Sequence, residues 1–261
     1  SLVGGASQLI GWRVYRGEFR SAVWLPWRLW AVTLLCFVVY GLVWPWALVS
    51  SSAQQVFGVS LINYLWPVLT VLFSAWWVPG ARLTTRTVLA TLLAVAGLVC
   101  ANLHHLCDLL AASDDPGVSP VRRLLPYGLA LVAAVTWAVY SALLARWRDW
   151  ARSYVTSPAG FLLIGIIACA LTACTGSLPV RLNPLGTLLS ICYGIGPLAV
   201  GYLLWEIALS KARVHTLSLL AAATPVLSTL LLCFFLRTLP GLELLVAACL
   251  VSSGVLLSVW E

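Results

Sequence analysis

The chain has 261 residues, of which 62% are hydrophobic and only 9% are charged, and its formal net charge is +7. A soluble domain carries roughly 25% charged residues, and 15 basic and 8 acidic side chains cannot cover the water-facing surface of a chain of this length. The composition excludes a soluble enzyme, a nucleic-acid-binding protein and a disordered scaffold. It indicates that the lipid bilayer is the main solvent of this protein.

Charge-free windows locate the membrane spans, because a transmembrane helix needs about 20 apolar residues. In chain order the windows are 29–81, 87–107, 124–145, 153–180, 182–205, 214–236 and 244–260. The first window has room for two spans and a short turn, so eight spans are predicted. Residues 1–12 are too short for a further span and are typical of the end of a helix. We therefore expect a chain that lacks one helix and part of the next.

The basic residues of the short loops predict the orientation of the spans. Loops on one side hold four basic residues, Arg122, Arg123, Arg181 and Arg237. Loops on the other side hold eleven, which are Arg13, Arg16, Arg20, Arg28, Arg82, Arg86, Arg146, Arg148, Arg152, Lys211 and Arg213. The side with eleven is predicted to face the cytoplasm, which places the C-terminus there.

Two segments of the chain match each other at a distance of 158 residues. Residues 60–70 (SLINYLWPVLT) align without gaps on residues 218–228 (SLLAAATPVLS), and a one-residue shift extends the match to Gly97 and Gly254. Four complete spans separate the two segments, so they cross the membrane in opposite directions and the repeat is inverted. Inverted repeats are typical of transporters, whose substrate site lies at the repeat interface near the midplane.

Pro67 and Pro225 occupy the same position of this repeat, each inside a predicted span. A proline removes a backbone hydrogen bond and favours a kink. A tolerated kink is the simpler explanation, but two prolines at one repeat position favour a hinge or a kink that lines a cavity. Thr224 and Ser228 flank Pro225, and their simplest role is to satisfy the carbonyls that the kink frees.

These features resemble the drug/metabolite transporter superfamily and its EamA-type repeat, which has a Pro-Val-Leu step in the fourth and ninth helices. More closely, the strings VGGA at 3–6, QQV at 54–56, NYLWP at 63–67 and WAVY at 137–140, together with Trp205, resemble the bacterial aromatic amino-acid exporters.

The resemblance implies an all-α polytopic membrane protein with a ten-helix fold built from two inverted five-helix repeats. The first helix and part of the second are then absent from this chain. The implied division is a first repeat at 1–107, an extracellular or periplasmic linker at 108–123 and a second repeat at 124–261.

The implied function is export of aromatic amino acids (Trp, Phe, Tyr) or similar amphipathic solutes across the bacterial inner membrane. Transport would proceed by alternating access around a central aromatic-lined cavity, in a monomer and without a cofactor. The sequence has no metalloprotease, nucleophile-elbow or phosphate-loop motif, so we predict that it is not an enzyme. Two alternatives stay open: an exporter of drugs, nucleosides or other metabolites of the same superfamily, and an intramembrane assembly subunit without transport.

Aromatic rings near the centres of the spans are the candidate solute-binding residues. Interfacial belts do not explain rings at that depth, and a cavity for an aromatic solute would use them for stacking. Helix packing or lipid contact is the alternative explanation. The candidates are Tyr40, Trp44, Tyr64, Trp66, Trp137, Tyr140, Tyr193, Tyr202 and Trp205.

Asn63 and Glu206 are polar residues within apolar sequence. Asn63 is predicted to bind substrate, and a hydrogen bond between helices explains it equally well. Glu206 is a candidate for proton coupling or for pairing with a substrate amine. Its position near the cytoplasmic end favours a salt bridge with Lys211 or Arg213.

Metal-capable side chains gather at the outer end of the fifth span, at Cys100, His104, His105, Cys107 and Asp108. A zinc site needs about four ligands in a tetrahedral array. No second cluster is evident in the sequence, so we predict no metal.

Overall fold

A computed structural model describes residues 1–52, 55–101, 120–147, 149, 152–175, 183–237, 239 and 241–259. Within these ranges the regular secondary structure is helical, because a chain in hydrocarbon must satisfy its backbone hydrogen bonds internally. His104, His105, Cys107 and Asp108 lie outside the described residues, as does most of the linker predicted at 108–123.

The α-helices are, in chain order, α1 (Leu2–Arg16), α2 (Arg20–Val23), α3 (Trp27–Val32), α4 (Val39–Val49), α5 (Gln55–Asn63), α6 (Trp66–Trp77), α7 (Thr85–Ala101), α8 (Pro120–Arg146), α9 (Ser157–Cys174), α10 (Pro184–Tyr193), α11 (Tyr202–Lys211), α12 (Val214–Ala221), α13 (Thr224–Leu236) and α14 (Leu242–Val259). Two π-helical segments, Thr33–Val38 and Gly194–Gly201, join α3 to α4 and α10 to α11.

Among the described residues, six helical stretches are long and apolar enough to cross a membrane: Trp27–Val49, Gly58–Trp77, Leu124–Arg146, Ser157–Cys174, Pro184–Lys211 and Val214–Phe235. The shorter apolar helices Thr85–Cys100 and Leu245–Leu257 correspond to the remaining two predicted spans. The predicted polytopic helical architecture is confirmed.

One span extends beyond its charge-free window. The charge-free window 182–205 ended before Glu206, whereas the helical stretch continues to Lys211. The helix continues because the Glu206 carboxylate finds hydrogen-bond donors inside the protein, as described below.

Local sequence signals explain where several helices begin. Proline occupies the first or second position of α6, α9, α10 and α13, where its missing N–H costs nothing. The Asn183 side chain accepts a hydrogen bond from the Leu185 amide at 3.1 Å and caps α10. At the other end of α1, Gly17 adopts the left-handed conformation that ends the helix.

The chain divides into two compact units, and each unit combines segments from both predicted repeats. Unit 1 comprises Ser1–Leu42 and Trp147–Lys211, and unit 2 comprises Val43–Arg146 and Ala212–Glu261.

In unit 1, α1 packs along α9 and along the π-helical segment Gly194–Gly201. Small residues allow this close approach. A Cβ atom at Gly5 would lie 3.0 Å from the Leu162 backbone nitrogen, and one at Gly165 would lie 2.5 Å from the Leu2 side chain. Glycine is therefore needed at both positions for the two helices to touch.

In unit 2, α7 and α14 pack along each other, and the two glycines of the repeat both lie at this interface. A Cβ at Gly97 would lie 3.0 Å from the Ala247 carbonyl oxygen, and a Cβ at Gly254 would lie 2.7 Å from the Ala90 carbonyl oxygen. Each repeat-related glycine thus faces the backbone of the opposite helix. Helices α5 and α6 pack on α8 in the same unit.

Candidate functional site

The residues predicted for the site lie in both units. Unit 1 holds Tyr40, Tyr193, Tyr202, Trp205 and Glu206. Unit 2 holds Trp44, Asn63, Tyr64, Trp66, Pro67, Trp137, Tyr140 and Pro225. The structure brings several of them together within each unit.

Three of the predicted rings in unit 2 form one cluster. Trp66 meets Trp137 edge-to-face, with ring centroids 6.2 Å apart and planes at 89°. Trp137 stacks on Tyr140 with ring centroids 5.0 Å apart, which their i,i+3 spacing on one face of α8 allows. Tyr140 is fully buried and Trp137 is 6% exposed, whereas Trp66 is half-buried. Trp66 is therefore the ring of this cluster with the most accessible surface.

Asn63 is the last residue of α5 and is buried. Its side-chain oxygen Oδ1 is buried without a hydrogen-bond donor among the described residues. Pro67, four residues later, has no N–H with which to donate to the Asn63 backbone carbonyl, as residue i+4 does in a continuous helix. The side-chain acceptor of Asn63 thus lies at the point where the helical stretch is interrupted.

Both spans of the repeat break at the same position. In the first, Leu65 N donates to Ile62 O at 3.1 Å, three residues back instead of four. In the second, Ala223 N donates to Leu220 O at 3.1 Å, and 158 residues again separate each atom from its counterpart. The second halves, α6 and α13, begin one residue after the break and carry the proline at their first or second position. Both spans are thus interrupted just before the prolines, and the hinge role of Pro67 and Pro225 stays a prediction.

Trp44 packs against a small apolar cluster of Ala47, Val59 and Ala130. Tyr127 packs against the same cluster, and its hydroxyl hydrogen-bonds with the Gln55 side chain. Tyr127 was not among the predicted site residues, although it lies in a predicted span as the predicted rings do. Tyr64, at the break of the first span, is half-buried.

Unit 1 contains a second aromatic cluster. Phe37, Phe161 and Tyr202 meet edge-to-face in all three pairings, with centroids 5.0 to 5.7 Å apart. The hydroxyl of Tyr202 hydrogen-bonds with that of Tyr40. Phe37 and Phe161 were missed because only rings with a polar atom were selected from the spans.

Tyr193 and Trp205 lie on either side of Tyr202 in sequence. Tyr193 ends α10 and is 58% exposed. Trp205 follows Tyr202 by three residues on α11, so the two side chains lie on the same face of that helix. Trp205 is half-buried.

Gln8 is a buried polar residue that the sequence analysis missed. Its Nε2 donates to Leu198 O at 2.8 Å and to Ala199 O at 3.2 Å, both in the π-helical segment Gly194–Gly201. A π-helical segment changes the normal hydrogen-bond pattern, and the Gln8 amide satisfies two of its carbonyls. An amide side chain within the apolar window 1–12 was the signal that could have identified it.

Glu206 binds the beginning of α9. Its two carboxylate oxygens accept hydrogen bonds from the Thr156 amide at 2.7 Å and from the Ser157 amide at 2.6 Å. The positive end of the helix dipole favours a carboxylate at this position. Lys211, one of the two predicted salt-bridge partners, donates through Nζ to the Tyr15 hydroxyl at 3.0 Å. A pairing of Glu206 with Arg213 stays a prediction.

Within the described residues, no group of three or more His, Cys, Asp or Glu side chains is placed to hold a metal ion. Cys100, the one member of the sequence cluster that can be described, is half-buried and free.

Comparison with known proteins identifies the family. Residues 124–260 match the EamA-like transporter family. The aromatic amino acid exporter YddG of Ancylobacter novellus is 32% identical over 242 residues, which cover 92% of this chain and 78% of that protein. The chain belongs to the EamA-like transporter family.

Two further comparisons extend this result. The aromatic amino acid exporter YddG of Salmonella typhimurium is 25% identical to this EamA-like transporter over 217 residues, which cover 81% of this chain and 64% of that protein. A protein of known crystal structure is 31% identical and superposes with a TM-score of 0.75, over 99% of this chain and 85% of the other. The predicted membership of the drug/metabolite transporter superfamily is confirmed.

Proposed function

We propose that this EamA-like transporter exports aromatic amino acids, or amphipathic solutes like them, across a bacterial inner membrane by alternating access. The names of the two YddG relatives support the substrate class. The proposal rests on the ring cluster Trp66–Trp137–Tyr140 and on the unpaired side-chain oxygen of Asn63, which precedes Trp66 by three residues.

The ring cluster supplies the apolar half of a site for such a solute. An aromatic pair contributes about 0.5–1.5 kcal/mol beyond the area that it buries. Trp66 presents a half-buried ring whose orientation is held by the buried Trp137. A solute ring stacked on Trp66 would therefore meet a surface that is already ordered.

The broken span supplies the polar half. The α-ammonium of an amino acid is a strong donor, and the Asn63 Oδ1 atom is an acceptor without a donor among the described residues. Pairing the two would satisfy a buried polar group that otherwise costs free energy. Asn63 and Trp66 flank the break, three residues apart, so one short segment offers both halves of the site.

The same break provides a place for movement. A continuous helix resists bending through its hydrogen-bond ladder, which Pro67 and Pro225 both interrupt. Bending at the repeat-related breaks at Leu65 and Ala223 would change the angle between the two halves of each span. We propose that bending at these two points switches the transporter between its inward-facing and outward-facing states.

Counterflow in proteoliposomes tests the proposal. Vesicles are preloaded with unlabelled tryptophan, phenylalanine or threonine, and uptake of each labelled amino acid is followed with and without a proton gradient. Saturable accumulation of tryptophan and phenylalanine, but not of threonine, is expected. Flux of nucleosides or cationic drugs without flux of any amino acid would contradict the substrate class and favour the broader exporter function.

A further inference from the structure

Unit 1 contains a cavity of about 380 Å³ that is separate from both aromatic clusters. Its lining consists of three cationic side chains, two aromatic rings, a serine and an isoleucine, which are Arg16, Arg152, Lys211, Trp12, Tyr15, Ser210 and Ile207. Arg16 and Lys211 are the last residues of α1 and α11. The cavity therefore lies where two apolar helices end.

Neutral groups hold all three cations in place. The Arg16 guanidinium lies 5.7 Å from the centre of the Trp12 ring. Arg152 Nε donates to the Ser210 carbonyl at 3.3 Å, and Lys211 Nζ donates to the Tyr15 hydroxyl at 3.0 Å. The cavity wall thus carries three positive charges.

No carboxylate lines this cavity in the described part of the chain. Glu18 and Asp149 lie two and three residues from Arg16 and Arg152 in sequence and are exposed, but neither lines the cavity. Glu206 lies one turn before Ser210 on α11. Both of its oxygens are engaged by the amides of Thr156 and Ser157. The cavity therefore has a strong excess of positive charge.

The pKa of the Tyr15 phenol reflects the positive charge of this cavity. The hydrogen bond from Lys211 lowers the pKa of the Tyr15 phenol, and the charges of Lys211 and Arg16 lower it further. A negative charge on an oxygen atom is thus stabilised at this wall. The oxygens of a bound anion would be stabilised in the same way.

The charge pattern distinguishes between two kinds of anion. An amino acid carries its ammonium next to its carboxylate, and three cations without an acid would repel that ammonium. A phosphate diester has a full negative charge, several acceptor oxygens and no cation in the same group, and both guanidinium and ammonium groups bind it. Basic pockets between membrane helices that combine cations with Trp and Tyr at the helix ends suit lipid headgroups.

We propose that this cavity binds the phosphate of an anionic phospholipid headgroup. The cation-rich loops predict that this end of unit 1 faces the cytoplasm, so the lipid would come from the inner leaflet. The site is distinct from the proposed solute site, and its occupancy does not depend on which solute the protein carries.

Lipid titration of the purified protein tests this assignment. The increase in melting temperature is measured with short-chain phosphatidylglycerol, with phosphatidylcholine of the same acyl length and with inorganic phosphate. The triple variant R16Q/R152Q/K211Q is compared with R13Q/R20Q/R28Q, which removes the same charge from the same unit and the same predicted membrane side.

For the wild type we expect tighter binding of phosphatidylglycerol than of phosphatidylcholine. The cavity variant is expected to lose this preference, with phosphatidylglycerol bound roughly tenfold or more weakly, because it loses three charge-assisted hydrogen-bond donors. The control variant should keep the preference. If the triple variant gives no folded protein, the single variants R16Q and K211Q are used instead. Each should bind phosphatidylglycerol about threefold more weakly than the wild type.

Two results would overturn the proposal. Equal losses of phosphatidylglycerol binding in the cavity variant and the control variant would show a general effect of surface charge. Stabilisation by inorganic phosphate that matches the stabilisation by phosphatidylglycerol would identify a site for a free anion instead of a lipid.

Discussion

The Glu206 carboxylate accepts a hydrogen bond from the Ser157 amide at 2.6 Å and so joins α11 to the beginning of α9. The other carboxylate oxygen accepts from the Thr156 amide. This pairing explains how an acid is accommodated in an apolar span of unit 1. It favours a structural role for Glu206 over the proton-coupling role considered from the sequence.

Replacing Glu206 by Gln therefore should reduce stability more than transport. The amide keeps one acceptor oxygen but places a donor opposite the second backbone N–H, at a cost of about 1–3 kcal/mol. Thermal unfolding in detergent, followed by tryptophan fluorescence, measures the loss. Counterflow per folded molecule and its response to a proton gradient should stay as in the wild type.

Glu243→Gln is the matched control, because Glu243 is an exposed acid in the first turn of α14. Its loss should cost less than about 1 kcal/mol. An E206Q protein that melts like the wild type but no longer responds to the proton gradient would refute the structural role and restore the coupling hypothesis.

Trp66→Ala should weaken binding of an aromatic solute without unfolding the protein. Trp66 is half-buried, and loss of one ring–ring contact should raise the concentration for half-maximal counterflow of tryptophan roughly three- to tenfold. The control is Trp76→Ala, on the same helix but 73% exposed and outside the ring cluster. Equal effects of the two substitutions would argue against a solute-binding role for Trp66.

Trp137 needs a gentler change, since its side chain is only 6% exposed. Truncation to Ala would cost about 3–5 kcal/mol through the cavity that it leaves. Trp137→Phe keeps most of the ring and should preserve the fold while it lowers counterflow of tryptophan. Unchanged counterflow in a folded W137F protein would show that Trp137 contributes only to the packing of unit 2.

Pro67→Ala should slow transport and leave solute affinity intact. The new N–H can donate to the Asn63 carbonyl, which straightens and stiffens the span at the break. The initial rate of counterflow should fall, whereas the concentration for half-maximal flux should change little. Pro225→Ala, at the same repeat position, should behave alike.

Pro126→Ala is the control for these two variants, because α8 continues through Pro126. It should transport at the wild-type rate. A loss of rate at Pro126 equal to that at Pro67 would indicate a general effect of proline removal, not a hinge.

Gly254→Ala should destabilise unit 2. The new methyl group would lie 2.7 Å from the Ala90 carbonyl oxygen, so α7 and α14 must separate. We expect a loss of about 1–3 kcal/mol in the free energy of unfolding. Gly128→Ala, where a Cβ meets no atom within 4 Å, should instead be neutral or stabilising by up to about 1 kcal/mol because Ala favours the helix. A G254A protein as stable as G128A would contradict the close approach of α7 and α14.

Composition and charge spacing were sufficient to predict the helical spans of this protein. Hydrocarbon excludes unpaired charges and leaves a chain few ways to satisfy its backbone, so apolar windows become helices wherever they occur. The match between residues 60–70 and 218–228 was equally visible, and both copies have the same three-residue hydrogen-bond step just before Pro67 and Pro225. These are local properties of the chain, and they do not depend on which helices become neighbours.

Only the tertiary structure decided how distant segments pair. Gln8 meets the carbonyls of Leu198 and Ala199, and Glu206 meets the amides of Thr156 and Ser157, across separations of about 50 to 190 residues. The Trp66–Trp137 contact likewise joins α6 to α8. A polar or aromatic side chain in an apolar helix must find a partner, but its own sequence neighbourhood does not specify which one. The packing of the helices within each unit determines the partner of each such side chain.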